Sequence, residues 1–399
     1  MKAIRRIIVG ILVLGLVAQV SFNLGRKQNA AQLDLSLMWK VKAELQKKYL
    51  DKSKLDDTNM KYGAISGMVS ALDDPYTVFL SPKDNKSSNE DLAGKFGGVG
   101  ISLGYKDKTL SAMSILPKTP AQKAGLLAGD LILKITDKVK NIDKDTTGIT
   151  LQEAVESIRG PIGSELTLKI YRDGGKEAFD VVLKRDDIVV PSIELEWREK
   201  NNKKIAWIKL YKFTEGLFKE WPEMVNKIKS EKGVSPAGEF GGVILDLRNN
   251  PGGYLMASVL VGSDFVKEGV IVKQESVKDG TQEYKVDTSR NKLLDDNLVV
   301  MINGGSASAS EILAGALKYY KRGKLVGEKS FGKGTVQEPE NFSDGSGIHI
   351  TIAKWLLPDG KNIHKEGVMP DVEIKFIPNE KDPKADNQLE KAIEVLLNK

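Results

Sequence analysis

Two short runs of this chain, Gly242-Val243-Ile244-Leu245-Asp246-Leu247 and Leu298-Val299-Val300-Met301-Ile302, are apolar at nearly every position. That pattern belongs to strands covered on both faces, since a half-exposed strand would alternate. Around them, Phe218–Ile228, Ala257–Phe265 and Glu311–Tyr320 space their apolar residues as helices do, and Ile205–Leu210 reads as a further strand. Strands and helices therefore alternate after Val189-Val190-Pro191, which predicts an α/β layered core. Upstream the pattern differs. Leu35, Met38, Val41, Leu45 and Tyr49 give one helical face within a mostly helical stretch from Leu33 to Leu80, and a second helix is expected over Lys61–Leu72, before Asp73-Asp74-Pro75. From Lys95 to about Lys184 short strands and turns dominate, with a helix expected over Thr150–Ile158 and a strand over Gly163–Tyr171. Ser230–Glu239 reads as a loop. From Asp371 the chain is expected to leave the core, ending in a short amphipathic helix over Asn387–Lys399.

The start of the chain adds a targeting signal. Lys2, Arg5 and Arg6 precede a charge-free run from Ile7 to Phe22, long for a signal-peptide core and slightly short for a membrane span. Gln19 and Phe22 interrupt the obvious cleavage sites, so the reading favours an uncleaved anchor with a cytoplasmic N-terminus over a cleaved signal. Either way the bulk of the chain is expected outside the cytoplasm, in the cell envelope. A length of 399 residues allows two or three domains. The net charge of +6 comes from lysines interleaved with acids, which argues against nucleic-acid binding. With no cysteine, disulfides and thiol catalysis are excluded.

The candidate chemistry follows the second apolar strand. Asn303-Gly304-Gly305-Ser306-Ala307-Ser308-Ala309-Ser310-Glu311 is a small-residue turn that can present a serine hydroxyl at a helix N-terminus, where free N–H groups favour developing negative charge. Such a serine needs a base. With only two histidines, the candidate is the lysine of Ser330-Phe331-Gly332-Lys333-Gly334-Thr335-Val336-Gln337. A free lysine titrates near ~10.4 and a base useful at neutral pH near about 7–8, a difference of about 4 kcal/mol that burial of the amine can supply. Phe331 and Val336 offer apolar cover, and the Gln337 amide can bond the neutral amine without adding charge. The residues alone leave Ser306, Ser308 and Ser310 equally eligible, since each can also cap a helix. Gly327-x-x-x-x-Gly332-Lys333 begins like a phosphate loop, but Gly334 stands where Ser or Thr should hold magnesium, and a strand-like segment follows. His349 alternates with apolar residues in Gly347–Ile352, and structural roles are expected for it and for His364.

The two stretches resemble the active-site signature of the carboxyl-terminal processing (tail-specific) serine proteases. Asp246-Leu247-Arg248-Asn249-Asn250-Pro251-Gly252-Gly253, Leu72-Asp73-Asp74-Pro75-Tyr76-Thr77 and Pro358-Asp359-Gly360-Lys361-Asn362-Ile363-His364 extend the resemblance. It implies Ser308 as nucleophile, Lys333 as base and Gln337 as the residue orienting the lysine amine. It also implies an oxyanion hole from the Ala309 N–H and a glycine N–H, Gly252 in preference to Gly253. Phe96–Leu103 and Pro120–Ile132 resemble a PDZ domain. There Gly97, Gly98, Val99 and Gly100 would capture a terminal carboxylate, and Ile101 and Leu103 would line the strand that a peptide extends. The implied fold is an α/β layered protease core, crotonase-like or ClpP-like, with an inserted PDZ domain and an N-terminal helical region. Its division is a signal or anchor over 1–28, helices over 29–85, the PDZ domain over 86–187, the protease core over 188–376 and a C-terminal helix or tail over 377–399. No cofactor or metal is implied. The implied partners are protein substrates with free apolar C-termini, a second copy through the N-terminal region, and the membrane through the first segment. Rival readings are a catalytically silent PDZ scaffold of the cell envelope and an acyl-CoA enzyme on a related core. A trypsin-like PDZ protease is disfavoured because Gly-Asn-Ser-Gly-Gly is missing.

Overall fold

The computed structural model describes residues 33–398, apart from 117, 176, 235–238, 291, 379–381 and 383–384. The expected signal or anchor lies outside the described residues, and among those described no helix is long and apolar enough to cross a membrane. The chain divides into two compact units, residues 1–68 and 69–399. In the first, α1 (Ser36–Lys48) is followed by α2 (Asp57–Ser70). The apolar spacing that predicted α1 does not mark a buried face there: Leu35, Val41, Leu45 and Tyr49 are exposed, and Leu37 and Trp39 are 70% and 58% exposed.

The second unit opens with a turn, Asp73–Thr77, that leads into β1 (Val78–Leu80) and α3 (Pro82–Ala93). Ser81 caps α3 by accepting from the Asp84 N–H, and Pro82 opens it where no amide donor is needed. Next, β2 (Lys95–Gly98) leads into a small sheet built from β3 (Ile101–Lys106), β4 (Thr109–Ile115), β5 (Leu131–Asp137), β6 (Ile142–Asp145), β7 (Glu165–Tyr171) and β8 (Phe179–Lys184). The helices α4 (Pro120–Lys123) and α5 (Leu151–Ile158) belong to the same subdomain, and β9 (Asp186–Val189) returns antiparallel to β2. The β2–β9 ribbon is therefore where the insertion enters and leaves. The sheet order is β3-β4-β5-β7-β8, which leaves β3 at an edge. Thr150 and Glu153 form a capping box at the start of α5. Its last carbonyls are met by the fully buried Arg185, which donates to Ile158 O at 2.7 Å and to Asp137 at 2.6 Å.

The remaining elements are β10 (Ile193–Lys200), β11 (Lys203–Leu210), α6 (Leu217–Val234), β12 (Phe240–Asp246), α7 (Leu255–Gly262), β13 (Val270–Ser276), β14 (Gly280–Lys285), β15 (Leu298–Ile302), α8 (Ala309–Tyr319), β16 (Lys324–Gly327), β17 (Thr335–Asn341), β18 (Gly347–Leu356), β19 (Val372–Glu373) and α9 (Asn387–Leu397). One sheet runs β10-β11-β12-β15-β16-β19, parallel from β11 onward. Period-two alternation sends Val243, Leu245, Val300 and Ile302 to one face, against α6, α7 and α8. Ile244, Val299 and Met301 go to the other, against Leu389, Ala392, Ile393 and Leu396 of α9. Hence both runs are apolar at nearly every position. A second, antiparallel sheet joins β1, β18, β13 and β14, with β17 on β18.

The expectation that the chain leaves the core at Asp371 is corrected by this packing. β19 extends the central sheet, and α9 closes its second face. A charged clamp adds to the apolar contact. Arg248, just past β12, donates to both carboxylate oxygens of Asp246 and of Asp386, and to Gln388 at 3.0 Å. Burial works against its charge, but the two carboxylates outweigh that and hold the guanidinium pKa above its usual value. Asp386 also caps α9 through the Leu389 N–H. Asp386→Ala removes the clamp and the cap at once and is expected to cost about 1–3 kcal/mol. A thermal or urea melt coincident with wild type would show that the apolar face alone holds α9.

Candidate active site

The turn between β15 and α8 sorts its three serines. Ser306 Oγ donates to Leu247 O at 2.8 Å and accepts from the Asn303 N–H at 3.0 Å; Ser310 Oγ donates to Asn250 O at 2.9 Å. Both are fully buried, so their hydroxyls are spent in tying this turn to the one after β12. Ser308 alone is half-buried, and it lines a cleft of about 530 Å³. Its backbone is strained, with φ 56° and ψ −116°, a region that costs a non-glycine residue about 1–3 kcal/mol. The neighbours impose that conformation. The Ser308 N–H donates to Glu311 at 2.9 Å, and the Ala307 N–H donates to Asn250 O at 3.0 Å. Gly252 abuts the same turn, where a Cβ would lie 2.8 Å from that of Ser308. Only glycine permits that approach.

Glu311 is the residue that sequence reasoning passed over. Its fully buried carboxylate accepts from Ser308 N (2.9 Å), Ser330 Oγ (2.6 Å), Gly332 N (2.6 Å) and Lys333 N (2.9 Å). One side chain therefore fixes both the serine turn and the lysine loop. The capping-box spacing from Ser308 to Glu311 was the available signal. The reach to the lysine loop, some 20 residues away, was not readable.

Lys333 lies in the same cleft, half-buried. Burial pushes its pKa down, against the pull of the Asp74 and Glu311 carboxylates. Its amine lies 4.9 Å from the centroid of the Tyr76 ring. Among the described residues no hydrogen bond joins Lys333 Nζ to Ser308 Oγ or to Gln337. The Gln337 amide instead donates to the hydroxyls of Thr335 and Thr351, each at 3.0 Å, and the residue lines the cleft. Phe331, expected as apolar cover for the lysine, is 55% exposed. Val336, the other residue expected as cover, does line the cleft, together with Trp355, whose indole donates to Lys333 O at 2.8 Å.

The oxyanion expectation is modified too. Ala309 is the first residue of α8, and its N–H is unpaired among the described residues. The Gly252 N–H, however, donates to Asn250 Oδ1 at 2.9 Å, whereas that of Gly253 has no acceptor among the described residues. The histidines also separate. His364 Nδ1 accepts from the Gly334 N–H at 3.4 Å, a loop-holding role. His349 lines the cleft with a buried Nε2 that has no hydrogen-bond partner among the described residues, and burial followed by the Lys333 charge lowers its pKa.

In the inserted subdomain, Gly97 and Gly98 belong to β2 and pair with Asp187 and Asp186. Val99 is buried in the subdomain core, and the carbonyls of Val99 and Gly100 accept from Ala121 and Leu116. Ile101 and Leu103 sit on β3, the edge strand, partly buried against that core. Only Ile101 and Leu103 therefore lie on that sheet edge, and none of these residues lines the Ser308 cleft.

Comparison with known proteins agrees with this architecture. Residues 204–374 match the family model of peptidase family S41, residues 97–183 that of the PDZ domain, and residues 19–84 that of the activating protease CtpB N-terminal domain. The chain is 35% identical over 323 residues to the carboxy-terminal processing protease CtpA of Bacillus subtilis (strain 168), covering 81% of this chain and 66% of that protein. It is 37% identical over 322 residues to a probable CtpA-like serine protease of Staphylococcus aureus (strain COL), covering 80% and 61%. A putative S41 protease from Bacteroides fragilis NCTC 9343 shares the fold, with a TM-score of 0.57 at 16% identity over 90% of this chain and 97% of that one. The chain thus has the S41 protease fold with a PDZ domain, and it belongs to the carboxy-terminal processing protease family. It spans less than two thirds of the length of the curated relatives it matches, 61–66% in these two cases.

Proposed function

We propose that the chain is a serine endopeptidase of the carboxyl-terminal processing type, acting on exported proteins held by their C-terminal tails. The observation that carries this reading is the sorting of the serines: only Ser308 keeps an unspent hydroxyl, and it opens a helix in the same cleft as a lysine whose burial favours the neutral amine. In this reading Ser308 Oγ attacks the scissile carbonyl carbon and its proton passes to Lys333 Nζ. The tetrahedral oxyanion meets the Ala309 N–H and a glycine N–H of the Pro251–Gly253 turn. Lys333 then gives the proton to the leaving amine, and water releases the acyl group by the same route. Gln337 Oε1 is the acceptor that orients the amine. The layering of the core, with helices on both faces of one sheet, is read as crotonase- or ClpP-like. The bare apolar face of α1 supports self-association, and the apolar run at Ile7–Phe22 supports an envelope location with a membrane anchor or a signal.

The PDZ domain would add a free tail to the β3 edge and receive its carboxylate at Gly97–Gly100, where β2 runs into β3, with Ile101 and Leu103 beside an apolar last residue. Burying one aliphatic side chain is worth roughly 1.5–3 kcal/mol, so a tail ending in aspartate is expected to bind at least about tenfold more weakly than one ending in an aliphatic residue. The test is cleavage of one reporter carrying a free-acid, an amidated or an aspartate-ended tail, with Ser308→Ala protein as the blank. Equal rates on all three tails would remove tail recognition while leaving the serine–lysine chemistry standing. No difference from the blank would remove the protease reading itself.

A further inference from the structure

The Leu72–Thr77 motif enters the site through one ring. Asp74 folds this turn by accepting from the Tyr76 N–H at 3.0 Å and from Thr77 Oγ1 at 2.7 Å. Thr77 Oγ1 in turn accepts from the Thr351 N–H at 3.0 Å, and the Thr351 hydroxyl accepts from Gln337. The turn is thereby bolted by backbone and hydroxyl bonds to β18, and the Tyr76 ring is delivered to the Lys333 amine, 4.9 Å from its centroid. That is inside the range in which an ammonium is attracted to an aromatic face. His364 also meets the ring, edge-on at 6.2 Å between centroids.

The arrangement has a direction. An aromatic face attracts the charged amine and has little attraction for the neutral one. Serine activation needs the neutral amine, and no bond joins Lys333 to Ser308 among the described residues. We infer that Tyr76 is a positioning residue: its ring face holds the protonated Lys333 amine off Ser308 and releases it toward the serine when the proton is lost to solvent. The inference rests on the reading of Lys333 as the base. The other titratable groups around the amine are Asp74 on the same turn, Glu311 on α8 and His349 on β18, with His364 in edge-on contact with the ring. Both carboxylates favour the charged amine as the ring does, whereas burial and a protonated His349 oppose it.

The experiment compares the acid limb of kcat/KM, and of Ser308 labelling by a small uncharged fluorophosphonate, in full-length wild type, Tyr76→Phe and Tyr76→Leu. Tyr76→Phe keeps the face and should superimpose on wild type. Tyr76→Leu keeps apolar cover without the face, so its limb should move to lower pH by about half a unit to one unit. One unit below the wild-type midpoint it should then label at least about threefold faster. Replacing Tyr76 by pentafluorophenylalanine, which reverses the ring quadrupole at nearly the same shape, should follow leucine and serves if leucine unfolds the turn. A leucine or pentafluorophenyl limb that stays in place or moves upward overturns the inference, as does a Tyr76→Phe limb that shifts with leucine. Lys333→Ala is the control: unresponsive Tyr76 variants beside a dead Lys333→Ala protein refute the role of Tyr76 alone, whereas an active Lys333→Ala protein refutes the base and this inference with it.

Discussion

Lys333→Ala protein is expected to lose cleavage of a tailed substrate by at least about a thousandfold, and Ser308→Ala to match it. The two residues act on one proton, so deleting either should cost nearly as much as deleting both. A positioned base contributes about 10²–10⁴-fold, and the cleft offers no obvious substitute. His349 lines it too, so His349→Gln is the companion variant and should keep the wild-type rate. The pH profile follows from the same assignment. Only neutral Lys333 can accept the serine proton, and burial lowers its pKa, so activity should rise with pH through a limb lying below the free-lysine value of ~10.4. Ser306→Ala and Ser310→Ala should keep the chemistry while losing about 1 kcal/mol of stability each, because their hydroxyls only brace the turn. A dead but folded Ser306→Ala protein, or a limb near ~10.4, would overturn the assignment.

What could be read from the residues divides along a physical line. β12 and β15 were legible because strands covered on both faces are apolar at every position, whatever covers them. The helix at α5 was legible because its cap is local, Thr150 and Glu153 satisfying each other's backbone. The antiparallel sheet was legible only in pieces, at the strand-like start of β17 and in the alternation of Gly347–Ile352 on β18. β14 and the end of β17 expose Gln282, Glu283, Glu338 and Glu340, and their partners are set by pairing rather than by their own pattern. The apolar face of α1 was legible as a face, but spacing does not say whether anything covers it. Within the site, the Ser308 and Lys333 stretches stood out because turn and glycine chemistry is local. The choice among three serines waited on acceptors such as Leu247 O and Asn250 O, far away in sequence. The same holds for Gly252, whose N–H is taken by an asparagine two residues back only because that loop folds on itself.

Glu311 carries the other large expected effect, and it separates holding from chemistry. Glu311→Ala removes the acceptor of four buried or half-buried donors at once, two of them the backbone N–H groups of Ser308 and Lys333. Hydrogen bonds to a charged acceptor are worth about 1.5–3 kcal/mol each, though not additively, and leaving buried partners unmet in this way costs about 3–5 kcal/mol. Against an ordinary stability of about 5–15 kcal/mol that is a large loss, but the layered core gives room for the protein to remain folded at low temperature. The catalytic loss should exceed what a lower melting temperature explains. Without the carboxylate nothing pays for the strain at Ser308, and its hydroxyl and the lysine loop are free to drift apart. The expected signature is a kcat lowered at least about a hundredfold with KM little changed, measured well below the melting transition. Glu311→Gln refines the argument. Its oxygen can serve the donors on one side, but its amide group presents N–H to N–H on the other, so it should recover part of the stability and little of the rate. Glu311→Asp, shorter by one methylene, cannot reach both loops and should fall in the same class. If Glu311→Ala melted early yet turned over at the wild-type rate while folded, the carboxylate would be a packing strut, and the alignment of Ser308 with Lys333 would have to come from the Asn250 and Gly252 contacts alone.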